Sequence, residues 1–174
     1  MSPAGRDLEA DDAAAIELAA VRFLAVREHS RHELRRKLRG RGYDPGLIDG
    51  VLDDLERQQL LSDERFAEQY LEQRMRRGFG PLRIRAELEQ RGVADPVIAA
   101  ALQRAHPDWE GLLVEAAARK FGEQPGFDLR DLARRGRFLE QRGFPISLIR
   151  RHLERIRIFW GLAGNRRAAR AARP

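Results

Sequence analysis

Residues 80–102 read GPLRIRAELEQRGVADPVIAAAL: a helix, a tight stop and a second helix in succession. Gly80-Pro81 predicts the entry, because proline at the first helical position lacks only an N–H that has no intrahelical partner anyway. Ile84 and Leu88 fall on one face at i, i+4. Gly92 predicts a left-handed stop, and Val93 just beyond it is placed to touch Leu88, the apolar contact that accompanies a Schellman motif. Asp95-Pro96 predicts a second N-cap followed by proline, with Ile98, Ala101 and Leu102 on the buried face of the next helix.

The chain repeats this pattern. Upstream, Ser30 to Leu52 reads SRHELRRKLRGRGYDPGLIDGVL, in which Leu34 and Leu38 stand for Ile84 and Leu88, and Arg41-Gly42 for Arg91-Gly92. Downstream, FLEQRGFPISLIRRHL places Leu139, Arg142, Gly143, Phe144, Ile149 and Leu153 at the equivalent positions. Each hairpin is preceded by a further amphipathic segment: Ile16, Ala20, Phe23 and Leu24; then Phe66, Ala67, Tyr70, Leu71 and Met75; then Leu112, Leu113, Ala116, Ala117 and Phe121. A helical unit recurring at a near-constant period is the signature of a repeat array, each unit burying its apolar face against its neighbours. The expected fold is therefore all-α: an elongated array of three tandem three-helix repeats. The expected boundaries are a flexible segment 1–11, repeats over 12–60, 61–106 and 107–158, and a basic tail over 159–174.

In detail, Asp12 is expected to cap the first helix, and Ser30 with Glu33 to form a capping box for the second. Arg135 occupies the place of Ile84 and Leu34, so the middle helix of the third repeat is expected to use Leu132, Phe138 and Leu139 instead. The Gln124–Asp128 loop accounts for the longer spacing inside that repeat.

Of the chain's 174 residues, 34% are charged and the net charge is +6, with Lys37 and Lys120 the only lysines. Arginine suits phosphate and carboxylate recognition through its bidentate fork, although a GC-rich genome also favours arginine codons. There is no cysteine, which excludes disulfides and cysteine-ligated zinc. Glu17 and Arg22 interrupt the apolar run from Ala13 to Val26, so no membrane span is expected, and the protein is expected to be soluble and cytoplasmic. No phosphate-binding glycine loop or nucleophile elbow occurs. His29 and His32 lie across a predicted helix boundary without further ligands. No catalytic, cofactor or metal site is expected, and no small-molecule substrate.

Charge is sorted by helix. The segment 31–41 carries Arg31, Arg35, Arg36, Lys37, Arg39 and Arg41 against Glu33, while the next helix carries Asp49, Asp53, Asp54 and Glu56. Attraction between neighbouring helices explains this sorting as well as a partner surface does. On a helical wheel Arg36 and Arg39 point opposite Leu34 and Leu38, with Arg35 at the flank. Arg76 and Arg83 also point away from their apolar faces. Arg74 falls on an inward face, near the mean direction of Phe66, Ala67, Tyr70 and Leu71. It is expected to be structural and to pair with Glu87, with Asp63 as the alternative.

These residues resemble a known family. Ser30, Arg31, Glu33, Leu34, Lys37, Leu38, Arg41 and Gly42 form one block of the pattern of the bacterial recombination regulator family RecX. A second block falls on Asp63, Arg65, Phe66, Ala67, Tyr70, Arg74, Gly78, Gly80, Pro81, Arg83, Ile84, Glu87, Leu88, Arg91 and Gly92. The likeness covers roughly residues 16–158 and is weakest in the third repeat, where Arg135 departs from it. It implies a curved array of three tandem three-helix repeats that binds RecA in the groove of its filament on DNA and restrains strand exchange and ATP hydrolysis. Arg35, Arg36, Arg39, Arg76 and Arg83 are then the candidate contacts to RecA or DNA, and a monomer is expected. A direct DNA-binding module is the other reading, since each repeat resembles a helix-turn-helix.

Overall fold

A computed structural model of the chain describes residues 3–122 and 128–157, with side chains from residue 12 onward. Eight helices are α1 (Pro3–Leu24), α2 (Arg31–Arg39), α3 (Pro45–Arg57), α4 (Asp63–Arg76), α5 (Pro81–Glu89), α6 (Asp95–Ala105), α7 (Trp109–Phe121) and α8 (Leu129–Gln141). A ninth, α9, covers 146–157, and no strand occurs among the described residues. The order is three helices, three times. The basic tail and residues 124–127 of the expected loop lie outside the described residues.

The stops are built as their residues require. Gly92 sits at φ 76°, its N–H donates to Glu89 O (2.9 Å), and the Val93 N–H donates to Leu88 O (3.2 Å). Gly143, at φ 84°, repeats the pair: its N–H donates to Glu140 O (2.8 Å) and the Phe144 N–H to Leu139 O (3.1 Å). These are the two bonds of a Schellman motif, and Leu88, Val93, Leu139 and Phe144 are all buried beside them.

Four expectations about local structure are corrected. The backbone is helical from Pro3, so Asp12 lies inside α1 rather than at its cap; the alanine-rich run 13–15 carries a helix in both directions. The N-cap of α6 is Ala94, which offers no side-chain bond, whereas Asp44 caps α3 by accepting from the Gly46 N–H (2.7 Å). Both caps lie two residues after the stop glycine, so the stop fixes the helix start, and the extra residue moves Asp95 into the first turn. Ser30 accepts from the Glu33 N–H (3.1 Å), but the Glu33 carboxylate turns to Arg27 and His29 (both 3.1 Å) and Arg91 (3.3 Å). Finally, Arg135 keeps the inward register: it is 3% exposed, bonded to Asp131 at 2.6 Å and stacked on Phe121, while Leu132 and Phe138 are only partly buried.

The chain falls into two compact units, 1–72 with 86–106, and 73–85 with 107–174. In the first, Ile16, Ala20, Leu34, Leu38, Ile48, Leu52 and Leu55 form the core of the opening three-helix repeat. The start of α2 there meets the stop of α5: Ser30 Oγ donates to Arg91 O (2.6 Å), and a Cβ on Gly92 would lie 2.4 Å from His32 Cβ. Asp63 accepts the Arg31 N–H (2.8 Å) and Arg65 bonds Glu28 (2.8 Å) across the same joint.

In the second unit, Leu113, Ala116, Ala117, Leu139, Phe144 and Ile149 form the core. The start of α5 meets the stop of α8 by the same device. The Gly80 N–H donates to Arg142 O (2.8 Å) and the Leu82 N–H to Gly143 O (3.0 Å). A Cβ on Gly80 would lie 2.5 Å from Gly143 O, and one on Gly143 would lie 2.4 Å from Arg83 N. The first two middle helices, α2 and α5, thus each start against the glycine stop of the next repeat.

Candidate partner-binding surface

In the first repeat the charge sorting has a structural component. Arg31 bonds Asp53 and Glu56, both at 2.7 Å, and Arg35 pairs with Asp49. Lys37 and Arg41 lie over the Phe23 ring at 4.4 and 4.5 Å. Arg36 and Arg39 are exposed and have no carboxylate partner among the described residues. Attraction between α2 and α3 therefore accounts for Arg31 and Arg35, and leaves Arg36 and Arg39 as an outward basic pair.

The second unit gathers a larger cluster. The end of α4 turns at Gly78 (φ 75°), where a Cβ would lie 3.0 Å from Arg119 Nη2, so the bare glycine admits that guanidinium. Arg119 donates to Arg76 O (3.1 Å) and Arg142 to Arg77 O (2.7 Å), neutralising carbonyls that a helix end leaves unmatched. The Phe79 ring carries three guanidiniums, from Arg74 at 3.9 Å, Arg142 at 4.6 Å and Arg83 at 4.9 Å. Burial, then the like charges of Arg119, Arg83 and Arg74, holds the Arg142 pKa below its ordinary value. Arg76 and Arg83 are exposed here, and Arg83 also donates to Gln141 O (2.9 Å). The sequence reading did not place Phe79, Arg77, Arg119 or Arg142 among the candidate contacts. Their one signal is an aromatic residue between two glycines, which needs a partner that spacing alone does not name.

Arg74 is half-buried beneath Phe79, and Glu87 accepts from the Tyr70 hydroxyl (2.8 Å). Asp63, the alternative partner, is engaged with the Arg31 N–H. An Arg74–Glu87 ion pair remains a proposal. Arg74→Ala is expected to lower the melting temperature more than Arg76→Ala, by about 2 °C or more on thermal unfolding, for a difference of about 1 kcal/mol. Equal shifts would move Arg74 to the partner surface.

Among the described residues no group of three metal-binding side chains is present, and no helix is long and apolar enough to cross a membrane. His29 is buried against Glu33. The molecule is thus an all-α protein of tandem three-helix repeats, joined through glycine stops and edged with arginine. The chain belongs to the RecX family: its first, second and third three-helix domains match residues 18–55, 62–102 and 109–153.

Curated relatives named "Regulatory protein RecX" include one from Pseudomonas savastanoi pv. phaseolicola, 46% identical over 82% of this chain and 92% of the relative. Another, from Halorhodospira halophila, is 44% identical over 86% of this chain and 90% of its own length. Among solved structures, RecX from Lactobacillus salivarius superposes with a TM-score of 0.71 at 23% identity, covering 86% of this chain and 99% of that one. That likeness concerns the fold.

Proposed function

We propose that this protein binds RecA and the filament RecA forms on DNA, and restrains its recombinase and ATPase activities. Membership of a family whose relatives are named regulatory proteins carries this reading. The joints support it, because the motif residues Ser30, Asp63, Arg65, Gly80, Arg91 and Gly92 all hold one repeat to the next. Tandem-repeat proteins as a class offer extended surfaces to their partners. The test is RecA ATPase on single-stranded DNA with rising amounts of this protein. Dose-dependent inhibition is expected, and unchanged hydrolysis and strand exchange at stoichiometric excess would sink the reading.

The partner surface is proposed to include Arg36, Arg39, Arg76 and Arg83, with Arg35 a lesser contact because Asp49 already faces it. Reversing the first four to glutamate is expected to weaken filament binding about tenfold or more, with the helical circular dichroism retained. Unchanged binding would assign them to solvent. Direct DNA binding is the second reading, favoured by the arginine cluster around Phe79. It predicts a steep salt dependence on naked DNA, whereas a filament regulator acts at low ratios to RecA.

A further inference from the structure

The two joints differ in charge at one position. In the first, Glu33 faces Arg91 at 3.3 Å. In the second, Arg142 stands where Arg91 stands, and the register that aligns Leu34 with Ile84 puts Arg83 where Glu33 was. A carboxylate has been exchanged for a guanidinium, and Arg83 is one of the three like charges that, with burial, disfavour the charged form of Arg142.

Next to Arg142 lies a cleft of about 200 Å³ lined by Arg77, Ala116, Arg119, Lys120, Phe138 and Arg142. Four of these six residues are cations and none is an acid. No carboxylate pairs with any of the four among the described residues. Capping the end of α4 explains one N–H from Arg119 and one from Arg142. A guanidinium has five donors, so most remain for something else. Arg142 is also held rigid, its guanidinium 4.6 Å from the Phe79 ring and 5.0 Å from the Phe138 ring. A fixed donor loses little freedom on binding, and four cations with no carboxylate paired to them among the described residues repel one another until an anion joins them.

We propose that this cleft binds one phosphate group, either inorganic phosphate or a phosphodiester of a nucleic-acid backbone. Arg119 and Arg142 supply oriented N–H donors, and the exposed Arg77 and Lys120 supply further charge. The assignment goes beyond the RecA reading, since nothing in that reading requires an anion site.

The test uses the full chain and no recombinase. Inorganic phosphate is titrated at constant ionic strength against chloride, following the Nε–Hε NMR signals of the arginines. Saturable shifts are expected for Arg119 and Arg142 but not for Arg36 and Arg39. Arg77→Gln with Lys120→Gln, both exposed, should weaken phosphate about tenfold, the equivalent of one charge-assisted hydrogen bond. Arg36→Gln with Arg39→Gln should leave it unchanged.

A parallel titration uses a short oligothymidylate with ordinary or uncharged methylphosphonate linkages. Saturation by the ordinary oligomer alone of this pair, together with phosphate, assigns the cleft to backbone phosphodiesters. Saturation by inorganic phosphate only assigns it to the free anion. Linear shifts shared by all arginines, equal weakening by both pairs of substitutions, or no response to any phosphate would overturn the proposal. A protein that binds phosphate here yet leaves RecA untouched would overturn the RecA reading alone.

Discussion

Gly143→Ala is expected to lower the melting temperature by about 4–20 °C, and Gly42→Ala by clearly less. Both glycines sit in the left-handed region, at φ 84° and 87°, where a Cβ costs about 1–2 kcal/mol. They differ in what surrounds them. A Cβ on Gly143 would lie 2.4 Å from the Arg83 backbone nitrogen and 2.9 Å from its Cα, whereas one on Gly42 meets nothing within 4 Å. Forcing atoms into a filled site adds about 1–3 kcal/mol. The sum for Gly143 is about 2–5 kcal/mol, and each kcal/mol moves the midpoint of a chain this long by about 2–4 °C. Gly92→Ala, with His32 Cβ at 2.4 Å, should resemble Gly143→Ala. Thermal unfolding of the three variants decides it. Equal shifts would mean that the glycines serve backbone conformation only and that the joints tolerate a methyl group.

That comparison marks where the sequence stopped being legible. Periodicity found three repeats because Leu34, Ile84 and their partners recur on one face, and the stop glycines are read from local chemistry alone. The helical wheel placed Arg36, Arg39, Arg76 and Arg83 outward, where the structure exposes them. Spacing within one hairpin says nothing about what its ends touch in the next, however. Ser30 reads as a cap, and it also donates to Arg91 O, sixty-one residues away. Gly80 reads as a helix entry, and its N–H also meets Arg142 O. The arginine cluster was hidden for the same reason: Phe79, Arg119 and Arg142 come together only once α7 and α8 have packed onto the end of α4.

Arg135→Ala should be comparably damaging, by a different mechanism. Arg135 is 3% exposed and Asp131, one turn earlier on α8, is 9% exposed; they bond at 2.6 Å. A guanidinium stands there at a position where the other repeats bury Leu34 and Ile84. Removing it takes from Asp131 its buried partner and leaves the exposed Arg134, at 2.5 Å, and breaking a buried pair from one side costs about 3–5 kcal/mol. The expected fall in melting temperature is about 6–20 °C. The pair as a whole is another matter, because desolvating two charges offsets much of their attraction. Arg135→Ile combined with Asp131→Leu restores the apolar character of the other repeats at similar volume. It is expected to come within about 1 kcal/mol of the parent chain, or above it. The coupling in a double-mutant cycle then measures the penalty of a carboxylate that has lost its buried partner rather than the worth of the ion pair. If the double variant fell as far as Arg135→Ala, the guanidinium would owe its place to its stacking on the Phe121 ring, at 4.7 Å, and not to Asp131.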